Sequence, residues 1–350
     1  MVSPLNPFSS IGVSPSDALM IAIDWGSTSL RAFLLGANGQ VLETRSGTHG
    51  ISTMKASSQA YSEVLTTLAG DWLDVWPWLP ILACGMVGSK HGWQEVPYVA
   101  CPANSDQIAA GTVHVTSTDH RRVHIVPGLL YRSDNATPDV MRGEETQIIG
   151  ALQMQPSWSE HCCIVMPGTH SKWAHIRQAQ VLEFATHMTG ELFAVLREHS
   201  VLGRLMTSVE SHAGSQNAQK LQDLHLASFL QGVDVVKDSA IHGLSHLLFS
   251  VRSLGLMGDI LASNLADYLS GLLIGYELKA GLAWRSAAGL MQAPLILVGE
   301  ADLCQRYVQA LQRFDVKADA VLSNTAPAGL WRLALSAGLL VPEINPQDSK

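Results

Sequence analysis

"IAIDWGSTSLRAFLL", residues Ile21 to Leu35, is the stretch on which the fold turns. An apolar run ends in Asp24, a turn of small hydroxyl residues (Gly26, Ser27, Thr28) follows, and a second apolar run is broken only by Arg31. Short apolar runs bounded by turn residues predict buried strands. Downstream, "GANGQ" places Asn38-Gly39 before "VLETR", the strongest short signal for a hairpin. Residues 19–45 therefore predict a three-stranded antiparallel meander.

The plan recurs. "CCIVMP" is β-rich, "GTHS" is a turn, and "KWAHI" and "VLEFATH" follow as strands across "RQAQ". Gly26 and Gly168 stand 142 residues apart (168 − 26), about the size of one domain. The spacing predicts two related halves. "SSQAYSEVLTTLAGDWL" is amphipathic, "WLPILACGMVGS" is a strand running into a glycine loop, and "HIVPGLLYR" reads as one strand. "GEETQIIGALQM" predicts a helix with acids in its first turn, where the helix dipole favours them. From "GELFAVLREHS" to "DYLSGLLIGYELKAGL" the chain reads as mostly helical; "APLILVGEADLCQRYVQALQRF" is strand, turn, helix, and "TAPAGLWRLALSAGLL" a closing helix.

Composition narrows the class. The chain has 350 residues, 47% hydrophobic and 15% charged, enough for two sizeable cores. A net charge of −8 argues against a broad basic surface for nucleic acid. No apolar run reaches the roughly 18 residues of a membrane span. Residues 1–17 read as a mobile Ser/Pro-rich leader without a signal-peptide pattern. Five cysteines, odd in number and without CxxC spacing, predict free thiols in a reducing cytoplasm. Cys162-Cys163 reads as strand filling and Trp72–Trp78 as packing. His242 and His246 share a helix face, but no acid or third ligand accompanies them, so no zinc site is expected.

The two turns carry the chemistry. Backbone N–H groups of a Gly-Ser-Thr turn line an anion site and the hydroxyls add donors. A carboxylate beside such a turn repels phosphate but can hold a divalent cation that bridges phosphates. Arg31 supplies a fixed positive fork. Asp24 alone reads more simply as a strand-end aspartate on an ordinary hairpin. The second turn shifts the balance, because clamping a polyphosphate from two sides takes two turns.

These residues resemble a known superfamily. "IAIDWGSTSLRAFLL" is similar to the first phosphate motif of the sugar kinase, Hsp70 and actin superfamily, and "VMPGTHSKW" to its second. "LILVGEADLCQRYVQAL" is similar to the adenosine motif. Together "DWGSTSLRA", "GMVGSKHGW", "VMRGEETQIIGA", "MPGTHSKW" and "MTGELF" resemble the 2-dehydro-3-deoxygalactonokinase family. The resemblance implies an α/β protein with two ribonuclease H-like domains flanking an ATP cleft, the actin-like ATPase fold. The domains would span 18–158, with the sugar-acid site, and 159–350, with the ATP site and a final helix packing back toward the first. It implies ATP and Mg²⁺ as cofactors and phosphorylation of 2-dehydro-3-deoxy-D-galactonate at its 6-hydroxyl in galactonate catabolism. A sugar acid and ATP would be the partners, with no nucleic acid and no membrane; a homodimer is left open. The alternative is a non-catalytic nucleotide-dependent sugar sensor or ATPase of the same fold, but a sensor has no need of the acids in "RGEET".

Residue by residue, Asp24 would hold the metal. Gly26, Ser27, Thr28, Arg31, Gly168, Thr169, His170, Lys172, Gly299 and Glu300 would bind the nucleotide. In the glycerol and xylulose kinase branch of that superfamily a G-D-Q/N stretch places a general base about twenty residues before the second turn; here Glu144 stands 24 before Gly168, a glutamate in place of the aspartate, with Glu145 as its rival. The base takes the proton from a hydroxyl attacking the γ-phosphate. "CGMVGSKHGW" lies where the glycerol kinase branch places substrate contacts, giving Gly85, Gly88, Ser89, Lys90 and Trp93. The substrate carboxylate needs a cation away from the phosphate turns, for which Arg142 ranks first and Lys90 second. Glu145 completes the substrate set.

Overall fold

The quoted stretch forms a hairpin in the computed structural model, which describes residues 17–54, 57–134, 136–207 and 215–340. The expected leader, apart from Asp17, lies outside these residues. β1 (Met20–Trp25) and β2 (Leu30–Leu35) pair antiparallel from Met20↔Leu35 to Trp25↔Leu30. β3 (Val41–Gly47) joins β2 antiparallel. Between β2 and β3, Asn38 and Gly39 take φ of 57° and 75°, the left-handed conformation that an Asn-Gly pair accommodates.

The chain then folds α1 (Ser58–Val75), β4 (Ile81–Gly85), β5 (Val99–Ala100), α2 (Ser105–Ala110), β6 (Val113–Thr116), β7 (Arg122–Ile125), β8 (Leu129–Ser133), β9 (Ala136–Met141) and α3 (Glu144–Met154). α1 starts where the Ser57 side chain accepts from the Ala60 N–H, a normal N-cap. It buries Tyr61, Leu65, Ala69, Trp72 and Leu73, one face at helical spacing. The first sheet runs β3-β2-β1-β4-β7-β6, with β4 parallel to β1 and β7 parallel to β4. Apart from Asp24, β1 and β4 are apolar along their length, as befits central strands with both faces covered. "HIVPGLLYR" is not one strand, as its pattern suggests. It breaks at Val126-Pro127-Gly128, and β8 leaves for a separate three-stranded sheet, β5-β8-β9. Proline has no N–H to give a ladder.

A second sheet repeats the plan. β10 (His161–Met166), β11 (Ser171–Arg177) and β12 (Gln180–His187) form the meander. After them come α4 (Thr189–His199), α5 (Ser215–Asp238), α6 (Leu244–Met257), α7 (Leu265–Ala287), β13 (Leu295–Val298), α8 (Ala301–Arg313), β14 (Ala320–Leu322) and α9 (Ala326–Ser336). The order β12-β11-β10-β13-β14, with β13 parallel to β10 and β14 parallel to β13, matches β3-β2-β1-β4-β7 strand for strand. Both sheets have ribonuclease H-like order, and the class is α/β.

The chain divides into two compact units. The first holds the described residues up to Glu160, Ile176–Glu183 and Asn324 onward; the second holds His161–His175 and Phe184–Ser323. Within the first, α3 and α9 meet backbone to backbone: a Cβ on Gly150 would lie 1.9 Å from the Thr325 carbonyl oxygen, and one on Gly329 1.9 Å from that of Thr146. Trp72 and Trp76 sit in its core, while Trp78 is 71% exposed. Gly150→Val forces the two helices apart. Overpacking of this kind costs about 2–3 kcal/mol or more, so the variant should show a clearly lower urea midpoint, and a midpoint equal to that of the unaltered protein would remove the α3–α9 contact as a source of stability.

Candidate functional site

Asp24 lies one residue from the end of β1, where the strand register sets Arg31 opposite it on β2 and Cys84 beside it on β4. Burial pushes the Asp24 carboxyl up from its ordinary value; the Arg31 charge pulls it back down and the Glu144 charge adds to the rise. The Cys84 thiol, itself held well above its usual range by burial, donates weakly to Asp24 Oδ1 at 3.9 Å. The turn that follows is tied down on one side. Gly26 N–H bonds the Ser29 carbonyl at 2.9 Å, and Ser52 donates from both N–H and hydroxyl to the Ser27 carbonyl at 2.9 and 2.7 Å. Ser27 and Thr28 keep their side chains exposed.

Two glycines let three chain segments converge beside Asp24. Gly85, at φ 90°, ends β4; a Cβ there would lie 2.7 Å from the Trp25 carbonyl oxygen. Gly143, at φ 107°, precedes α3, and its Cβ would come 3.3 Å from the Gly85 Cα. α3 therefore opens with both glutamates at this point. Glu144 is partly exposed and accepts from the Arg142 N–H at 3.0 Å. Glu145 is 0% exposed and accepts from the Gly143 N–H at 2.7 Å and the Thr146 hydroxyl at 3.0 Å. Burial first, and then the Glu144 charge, push the Glu145 carboxyl up to about 8. Of the two acids, Glu144 meets solvent while Glu145 is dry and held neutral.

Arg142 lies just ahead. Its Nη2 donates to the Val96 carbonyl at 2.7 Å and its guanidinium stacks 4.4 Å over the Tyr98 ring. Among the described residues its Nε and Nη1 are buried with no hydrogen-bond partner, as is the Ser89 hydroxyl. Gly88 makes room for it, since a Cβ there would stand 2.9 Å from Arg142 Nη1. Lys90 is exposed on the same loop. Trp93 goes elsewhere: its indole donates to Ser58 Oγ at 3.0 Å and stacks on Tyr61 at 5.6 Å, edge-on to Trp25 at 6.2 Å. That ring belongs to the core beneath the first turn.

In the second unit, Gly168 and Thr169 form the turn between β10 and β11, and α4 starts hard against it. A Cβ on Gly190 would lie 2.6 Å from the Gly168 carbonyl oxygen, and the Glu191 N–H bonds the Thr169 carbonyl at 3.0 Å. A Cβ on Gly168 itself would meet nothing within 4 Å, so that face of the turn is bare. His170 pairs with the Glu191 carboxylate. Lys172 is buried, its Nζ donating to the His170 carbonyl at 3.2 Å. Gly168, Thr169 and Glu300 share a cavity of about 600 Å³ with Thr189, Asp267 and Arg306. Gly299 sits at the end of β13, its N–H on the Leu322 carbonyl at 3.0 Å. His170 and Lys172 do not line the cavity. The sequence had not marked Thr189, Asp267 or Arg306; Thr189 stood in the quoted "MTGELF", whereas the ion pair of Asp267 with Arg306 spans 39 residues. His242 and His246 stack at 4.4 Å, and among the described residues no group of three or more His, Cys, Asp or Glu could hold a metal ion.

The model of the 2-keto-3-deoxy-galactonokinase family matches residues 24–333. The chain belongs to this family. A 2-dehydro-3-deoxygalactonokinase from Escherichia coli (strain K12) is 34% identical over 318 residues, 91% of this chain and 98% of that one. DgoK1 of Rhizobium meliloti (strain 1021) is 34% identical over 306 residues, 87% of this chain and 92% of its own. Among solved structures, a Sinorhizobium meliloti protein assigned as a 2-dehydro-3-deoxygalactonokinase superposes with a TM-score of 0.73 at 31% identity, covering 90% of this chain and 98% of that one. Membership in this kinase family spans both turns, the α3 start and the cavity wall.

The pH behaviour of this family member follows from Glu145. Folding raises its carboxyl from an ordinary 4.5 to about 8, so folding favours the neutral form. The stability this confers is fully present below the unfolded value and is lost as pH rises through the folded one. Glu145→Gln copies the neutral acid and removes the loss. The variant should match the unaltered protein near about pH 5 and unfold several degrees higher near about pH 9. Parallel melting curves across that range would contradict the assignment.

Proposed function

We propose that this chain transfers the γ-phosphoryl group of ATP to the 6-hydroxyl of 2-dehydro-3-deoxy-D-galactonate, the activity for which its family is named. Arg142 is the observation that carries the substrate class. A guanidinium whose Nε and Nη1 are buried and unpartnered stands two residues before Glu144, and a carboxylate is an acceptor that suits its charge. The Ser89 hydroxyl, also buried and unpartnered, is a further donor on the neighbouring loop. Glu144 is the base. Glu145, protonated up to about pH 8, is in the wrong state to accept a proton at neutral pH.

Asp24 would offer Mg²⁺ a hard carboxylate oxygen at the strand end beside the first turn, leaving Glu144 free to act as the base. That ion neutralises charge on the transferring phosphoryl group when bound. The bare Gly168-Thr169 turn supplies N–H groups to the phosphates, and the adjoining cavity takes the nucleoside. All five cysteines are free and no described helix is long and apolar enough to cross a membrane; both suit the cytoplasm, where we place the enzyme.

A coupled assay for ADP over a panel of 2-keto-3-deoxy sugar acids and neutral sugars tests the reading. ADP should form with the galactonate derivative and not without acceptor; steady ADP formation without any sugar acid would identify an ATPase or sensor instead. Arg142→Ala leaves a charge unpaired, a loss of about 2–5 kcal/mol, so KM for the sugar acid should rise at least about 30-fold while KM for ATP changes little. An unmoved sugar-acid KM passes the role to Lys90. Glu144→Gln should lower kcat about 100-fold or more, and normal turnover by that variant would dismiss Glu144 as the base.

A further inference from the structure

Glu277 stands on α7, in the otherwise apolar run "GLLIGYEL", and is 2% exposed. Its carboxylate receives four hydrogen bonds among the described residues. Oε1 accepts from the Ser171 hydroxyl at 2.6 Å and from the Trp173 indole at 2.9 Å. Oε2 accepts from the Tyr307 hydroxyl at 2.6 Å and from the Thr189 hydroxyl. All four donors are neutral. A carboxylate can only accept, and a buried one persists where its lone pairs are filled. Burial, with the Glu277 charge second, holds the Tyr307 phenol well above its ordinary value, so it stays a donor.

The donors come from separate elements. Ser171 closes the second turn, Trp173 follows on β11, Thr189 is the first residue of α4 and Tyr307 belongs to α8. Thr189 and Tyr307 also line the cavity beside Gly168 and Thr169. One carboxylate therefore joins the turn, the helix start pressed against it and the far cavity wall.

We propose that Glu277 is the positioning residue of the nucleotide-phosphate turn: it fixes Ser171 and Thr189 in one arrangement without touching the nucleotide. The proposal rests on the reading above, in which that turn holds the phosphates of ATP. The chemistry of the donors sets its consequence. The Trp173 indole can only donate, so a glutamine at 277 must turn its amide oxygen toward Trp173 and Ser171. Its NH₂ then faces Thr189 and Tyr307, whose hydroxyls must change from donors to acceptors. The fold keeps its shape, and the error falls on the start of α4 and the cavity wall.

Steady-state kinetics with ATP and the sugar acid each varied, beside thermal unfolding of the same full-length samples, tests this. Glu277→Gln should raise KM for ATP about tenfold, the scale of one misplaced buried hydrogen bond, and leave KM for the sugar acid within about twofold. If Glu277→Gln fails to fold, Thr189→Val removes a single donor and should raise KM for ATP, with Thr189→Ser restoring it. An unchanged ATP KM in the folded variant, or equal movement of both KM values, overturns the proposal. Gly168→Val separates the two layers. If it leaves KM for ATP unchanged, the phosphate-turn reading fails; if it raises that KM while Glu277→Gln does not, only the role of Glu277 falls.

Discussion

Backbone pressed on backbone at the ends of β1 and β4 is the constraint from which the first-unit site follows. Parallel pairing sets Asp24 beside Cys84 and Trp25 beside Gly85. Gly85 must then lie where a Cβ would strike the Trp25 carbonyl, and at Gly143, with φ of 107°, a Cβ would crowd the Gly85 Cα. Three segments that are far apart in sequence meet at one point. The opening of α3 delivers two acids there, and their unequal burial makes them unlike each other. Two neighbouring acids of one residue type are thus set apart by whether water reaches them.

The local half of this arrangement was legible in the sequence. The apolar run ending in Asp24, the hydroxyl turn, Asn38-Gly39 and the acidic start of α3 are all patterns within a few residues of one another, and each turned up in the expected element. The features that escaped were those set by distance. β5 is two residues long and pairs with β8, which the apolar run "HIVPGLLYR" had hidden inside a single strand. Trp93 sits in a glycine-rich loop, the place for a ligand contact, yet its indole stacks on Tyr61, 32 residues away (93 − 61), because a large apolar ring gains more from a core. Glu277 gave no signal at all: a single acid in an apolar helix has no period, and three of its donors lie 88 to 106 residues before it.

The two turns are held by different means. The first is fastened by main chain, with Ser52 and Ile51 donating to Ser27 and Gly26. The second has one main-chain tie, from the Glu191 N–H to the Thr169 carbonyl, and otherwise relies on side chains gathered on one buried carboxylate. Main-chain fastening tolerates many substitutions in the residues that supply it, whereas a network on a single carboxylate depends on each donor keeping its type. Equivalent strands in the two units thus carry turns of unequal tolerance.

The crossing of α3 with α9 has a consequence for how the chain is made. The hydroxyl of Thr325 bonds the carbonyl of Gln147 across 178 residues, and the glycine contact beside it completes the first unit. On the ribosome, the whole second unit emerges between those two helices. Until α9 arrives, the face of α3 that carries Gly150 has no cover, although β1 to β9 are already synthesised. The first unit can therefore be completed only after the whole of the second has been synthesised.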